Sequence, residues 1–142
     1  MGENERMTAS SHPAPACNIL IVEDSENNAT AMEMALLGIP GLSVMRAPSG
    51  LEALRILREP GSGVQAIITD LNMPRMDGFE LIERIREDRR MAGVPIIVVS
   101  ADTDPDTPER VARMKVDAFF AKPYSPAQVR RKLEQLLHAT TT

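Results

Sequence analysis

Five side chains in this sequence are of types that handle charge and phosphoryl groups: Glu23, Asp24, Asp70, Ser100 and Lys122. Each closes or follows a short apolar run, "NILIV", "VQAIIT", "VPIIVVS" or "DAFFA". The three acids offer oxygen only, with no His or Cys at ligand spacing. Oxygen ligation selects Mg²⁺, Mn²⁺ or Ca²⁺, and a few carboxylates with open positions favour Mg²⁺. Two carboxylates about 4 Å apart repel by about 4 kcal/mol at an effective dielectric near 20, so such a grouping demands a cation. Metal, ammonium and hydroxyl around one carboxylate make a site for a phosphoryl group. Asp70, at the centre, would be the nucleophile. Singly, each residue has a blander reading, since an acid at a strand end is commonly a turn or a helix cap. Asp77-Gly78 is read in that way, as turn chemistry. It is the convergence of all five on one edge that the bland reading leaves unexplained.

Convergence requires a fold that brings distant strand ends together. From Asn18 the chain alternates between apolar runs and helical patterns. Ala29, Met32 and Leu36 fall at helical spacing ahead of Gly38, which is expected to end that helix. A weaker strand, "LSVMRA", follows. Leu51, Leu54, Ile56 and Leu57 mark a second helical stripe, and Phe79, Ile82 and Ile85 a third. Thr107 before Pro108 predicts a helix capped by Thr107, and Ser125 before Pro126 predicts another, with Gln128 completing a capping box. Strands one, three and four are continuous apolar runs, which indicates burial on both faces and a parallel sheet between helix layers. The expected fold is α/β, a (βα)5 doubly wound five-stranded parallel sheet of flavodoxin-like type. In the order 2-1-3-4-5, strands one and three are neighbours at the switch point, where ligands bind outside the carboxyl ends. Glu23, Asp24 and Asp70 then meet in one crevice, with Ser100 and Lys122 alongside.

Composition narrows the function. The chain has 142 residues, enough for one core. A net charge of −4 argues against a nucleic-acid binder. The single cysteine, Cys17, excludes a disulfide framework and is expected to pack as a small hydrophobe. His12 and His138 lack ligand neighbours and are expected to be solvated. No apolar run has membrane-spanning length and no secretory leader is evident, so a cytoplasmic location is expected. Residues 1–16 read as a disordered tail, residues 17–138 as the domain, and 139–142 as a C-terminal tail.

The stretches "ILIVEDSENN", "AIITDLNMPRMDGFELI", "PIIVVSA" and "DAFFAKPY" resemble the receiver domain of two-component response regulators, of the chemotaxis-regulator kind. The resemblance spans Asn18 to about Leu137. It implies that Asp70 is the phosphoacceptor and that Glu23 and Asp24 help hold Mg²⁺ together with the backbone carbonyl of Asn72. It also implies that Ser100 is the switch hydroxyl, Phe119 the switch aromatic and Lys122 the phosphate-binding lysine, with a cis bond to Pro123. Ala101 matches the small residue after the hydroxyl, and Asn28 an asparagine common in receivers of hybrid kinases. Two features depart from the pattern. Lys115-Val116 stands where Gly-Ala is usual, and Phe119 replaces a frequent tyrosine.

The implied function is a phosphorylatable switch, not a conventional enzyme. A histidine kinase or histidine phosphotransfer protein would donate the phosphoryl group. A target protein or a second receiver would read the face of the last two helices and strand five. Neither nucleic acid nor a membrane is expected as a partner. Arg110, Arg113, Lys115, Arg130, Arg131 and Lys132 lie on or beside those helices, as a solvated face or as a docking surface for an acidic partner. Two other functions compete. A phosphatase of the haloacid-dehalogenase type would need an acid where Asn72 stands. A degenerate receiver that only binds partners would not need the complete acidic, hydroxyl and lysine set.

Overall fold

The computed structural model describes residues 17–141. The expected N-terminal tail and His12 lie outside them. Five strands, β1 (Cys17–Val22), β2 (Leu42–Ala47), β3 (Val64–Thr69), β4 (Ile96–Ser100) and β5 (Ala118–Ala121), alternate with α1 (Glu26–Ala35), α2 (Gly50–Arg58), α3 (Gly78–Glu87), α4 (Thr107–Arg113) and α5 (Pro126–Thr141). All strands pair in parallel, in the order β2-β1-β3-β4-β5. The apolar runs of β1, β3 and β4 are the interior strands, buried on both faces, and the weaker β2 and β5 form the edges.

Alternation along each strand sends its side chains to two separate cores. Leu20, Val22, Ile67, Ile96 and Val98 pack with Leu54, Leu81, Ile82, Ile85 and Val111 of α2, α3 and α4. Ile19, Ile21, Ile68, Ile97 and Val99 pack with Ala29, Met32, Val129 and Leu133 of α1 and α5. Cys17 is half-buried at the edge of the second core, as a small apolar side chain would be.

Helix starts follow their caps. The side chains of Ser25, Ser49, Asp77 and Ser125 accept hydrogen bonds from the backbone N–H groups of Asn28, Glu52, Glu80 and Gln128. Four local expectations change. Thr107 is the first helical residue and is buried, with Asp106 before it as a cap that makes no side-chain bond. Helix α1 ends at Ala35, and Gly38 instead serves the following turn with φ of 101°. Leu51 is 55% exposed, because Gly50, Ala53 and Leu54 form the buried face of α2 and Leu51 lies to the side of it. Helix α5 runs to Thr141, beyond residue 138 where a tail was expected. Lys115 adopts φ of 63°, the left-handed conformation for which glycine is the usual residue. Among the described residues, no helix is long and apolar enough to cross a membrane.

Candidate functional site

Parallel register brings the acids together. Val22 pairs with Thr69, and the Asp70 N–H donates to the Val22 carbonyl at 3.1 Å. Glu23 and Asp70 therefore leave the sheet side by side. Asp70 is nearly buried, at 8% exposure. Its Oδ1 accepts the N–H groups of Leu71 at 2.6 Å and Asn72 at 3.2 Å. Its Oδ2 accepts Lys122 Nζ at 3.2 Å, and the same ammonium lies 3.3 Å from Glu23 Oε1. The cation demanded by two close carboxylates is thus Lys122 itself. The remaining Glu23 oxygen, Oε2, accepts the Ser25 N–H at 3.2 Å.

Burial, reinforced by Asp70, holds the Glu23 pKa above its ordinary value, against the pull of the Ser25 N–H and the Lys122 ammonium. For Lys122, burial acts downward, but the charges of Asp70 and Glu23 outweigh it and the net shift is upward. Tyr124, two residues on, is pushed up mainly by burial.

Ser100 ends β4 and is fully buried. Its Oγ accepts the Asp102 N–H at 3.1 Å, with Asn72 Nδ2 at 3.5 Å. Lys122 is placed by its own N–H, which donates to the Ser100 carbonyl at 2.9 Å. The Lys122–Pro123 bond is cis, as the family resemblance implies. Phe119 pairs with Val98 on the neighbouring strand and is half-buried against the α2–α4 core. A cleft of about 320 Å³ opens beside the site, with Glu23, Asn28, Asp70, Lys122 and Tyr124 on its polar side and Ile21, Met32, Ile68 and Val99 on its apolar side.

Asp77 and Gly78 are structural, as expected. Asp77 caps α3, and a Cβ on Gly78 would stand 2.3 Å from the Asp70 carbonyl oxygen and 2.7 Å from Leu71 Cα. Glycine here lets α3 start directly against the backbone of Asp70.

Asp24 is exposed at the end of β1. Among the described residues, no three His, Cys, Asp or Glu side chains are gathered closely enough to hold a metal ion. The donor chemistry nevertheless suits a hard divalent cation: Glu23, Asp24 and Asp70 are all carboxylates, and Glu23 is held above its ordinary pKa by burial and by Asp70. The Asn72 side chain, directed at Ser100, was not foreseen. Its neighbour-but-one position to Asp70 was visible, but the partner lies 28 residues away.

The sequence model of the response regulator receiver domain matches residues 19–134. A chemotaxis protein CheY homolog of Campylobacter jejuni is 31% identical over 121 residues, covering 84% of this chain and 91% of that protein. The two-component response regulator ORR3 of rice (Oryza sativa) is 30% identical, covering 92% of this chain and 98% of that protein. Among solved structures, a response regulator receiver protein from Pseudomonas putida superposes with a TM-score of 0.78 at 30% identity, covering 87% of this chain and 99% of that one. The chemotaxis response regulator CheY4 of Vibrio cholerae gives 0.74 at 26%, covering 85% and 98%. Family model, relatives and fold agree, and the chain belongs to the response regulator receiver domain family.

Proposed function

We propose that residues 17–138 work as a phosphoacceptor switch, in which Asp70 takes a phosphoryl group from a histidine kinase or a histidine phosphotransfer protein. The observation that carries this reading is the division of labour at the Asp70 carboxylate. Two backbone amides fix Oδ1, while among the described residues Oδ2 is held only by the Lys122 side chain. Oδ2 is then the oxygen available for attack. It forms the new O–P bond as the N–P bond of the donor phosphohistidine breaks, and the leaving imidazole keeps the electron pair and takes a proton. Lys122 turns from Oδ2 to the phosphoryl oxygens, retaining a charged partner throughout. Buried on a strand end, Asp70 holds its geometry for an in-line approach.

Glu23, Asp24, Asp70 and the backbone carbonyl of Asn72 would hold Mg²⁺, as family members generally do. When bound, the ion supplies positive charge against the oxygens of the transferring group. Ser100 and Phe119 then carry the change outward to the surface of α4, β5 and α5, where a target protein or a second receiver reads it. Acetyl phosphate with Mg²⁺ should add one phosphoryl group to the wild type and none to Asp70→Asn, as read by intact mass. Equal labelling of both would remove Asp70 as acceptor. No labelling of either would leave a receiver that acts only by binding partners.

A further inference from the structure

Away from the site, one charged side chain is engaged more heavily than any other cation on the helices. Arg86, near the end of α3, has a side chain only 15% exposed. Its Nη1 donates to the carbonyls of Ala92 at 2.8 Å and Val94 at 2.7 Å, and its Nη2 to the carbonyl of Lys115 at 2.6 Å. Asp117 Oδ2 lies 3.8 Å from Nη2. Burial acts against the charge, lowering the Arg86 pKa despite Asp117. Among the described residues its buried Nε has no hydrogen-bond partner. A guanidinium is an expensive group to place there unless the carbonyls it holds matter.

Those carbonyls belong to the turns that lead into β4 and β5. Asp117 completes the tie: its N–H donates to the Ile96 carbonyl at 2.8 Å, and its Oδ2 accepts the Ile96 N–H at 2.8 Å. The start of β5 is thereby fixed to the start of β4. Strand β5 has only four residues, lies at the sheet edge and is nowhere fully buried. It cannot draw its placement from the core as β3 and β4 do. Lys122 is the next residue after it, about 13 Å along at roughly 3.3 Å per residue. Lys115, where the chain turns into β5, holds its left-handed φ with its carbonyl in the grip of Arg86.

We propose that Arg86 is a positioning residue for the phosphoryl site: from the amino ends of β4 and β5 it sets the register of β5, and with it the placement of Phe119 and Lys122. The functional part of this proposal rests on the reading of Asp70 as phosphoacceptor; the structural part does not.

The test is amide hydrogen exchange on full-length wild type and Arg86→Met, without any phosphoryl donor. Methionine keeps an apolar stem and removes every donor. The amides of β5 and of Lys122 should lose protection by about tenfold or more, the size of one lost charged hydrogen bond. Those of β1 and β3 should keep theirs. Labelling by acetyl phosphate should also slow. Unchanged protection in β5, or an equal loss over all strands, would overturn the proposal, because general destabilisation has no preference for β5. If Arg86→Met does not fold, Arg86→Lys serves the same comparison, since it keeps the charge but not the planar fork. A wild type that takes no label would refute the phosphoacceptor reading while leaving the exchange result to decide the role of Arg86 in β5.

Discussion

Ser100 Oγ is buried and already accepts a backbone N–H, so its useful remaining capacity is its own proton. A phosphoryl group on Asp70 would offer an acceptor for it. A switch from 1:99 to 99:1 needs about 5.5 kcal/mol of differential stabilisation. One hydrogen bond to a charged group supplies about 1.5–3 kcal/mol. The transferred contact of Lys122 must add to it for the switch to be complete. Ser100→Ala should therefore still accept a phosphoryl group at Asp70 but lose most of the distant response. In NMR spectra, beryllofluoride should shift amides near Phe119 and along α4 in the wild type, and only those near Asp70 in the variant. Undiminished distant shifts would show that the hydroxyl is not the link. Lys122 also gives a prediction in pH. Its folded pKa lies above the ordinary 10.5, so the folded state binds that proton more tightly than the unfolded chain. Its contribution to stability is complete below pH 10.5 and is lost as pH rises through the folded pKa. Lys122→Met should flatten the alkaline fall of the urea midpoint, and an equally steep fall in the variant would place its cause elsewhere.

Helix α3 shows how an element can be tied to the chemistry by one missing atom. Its first residue, Gly78, leaves no room for a Cβ against the backbone of Asp70 and Leu71. Gly78→Ala must push α3 away or shift the Asp70 loop. It should cost about 1–3 kcal/mol in urea unfolding, as overpacking does, and should slow labelling as well. A variant with wild-type stability and labelling would mean the loop yields freely. The Asp77-Gly78 turn, the interior strands and the Ser125 cap were legible in the sequence because each depends on neighbours in the chain or on continuous apolar runs. The start of α4 was not. Thr107 has the chemistry of a cap, but burial draws it into the helix and leaves Asp106 outside. Leu51 was misplaced because the small residues Gly50 and Ala53 share the buried face with Leu54, so the stripe of large apolar side chains is not the face the core covers. The strand-end positions of the candidate site residues were readable one strand at a time, whereas the grip of Arg86 on Lys115 was not, because the acceptor is a backbone carbonyl 29 residues away with no side-chain signature.

For the molecule as a whole, the sheet divides the interior into two clusters that share no residue. Ile82 belongs to one and Ile68 to the other. Ile82→Val and Ile68→Val should each cost about 0.5–1.5 kcal/mol. Combined, they should add to within about 0.5 kcal/mol, as separated sites do. A larger coupling in urea unfolding would show that the sheet transmits strain between its faces. The cleft with Asn28 and Met32 opens on the α1–α5 side, while Phe119 packs on the α2–α4 side. The sheet is thus a party wall between two rooms that share one doorway, at Asp70. Substitutions that reshape the cleft on one face leave the packing of Phe119 on the other face in place. Retuning the cleft of such a protein then calls for changes on one face at a time, and for no new fold.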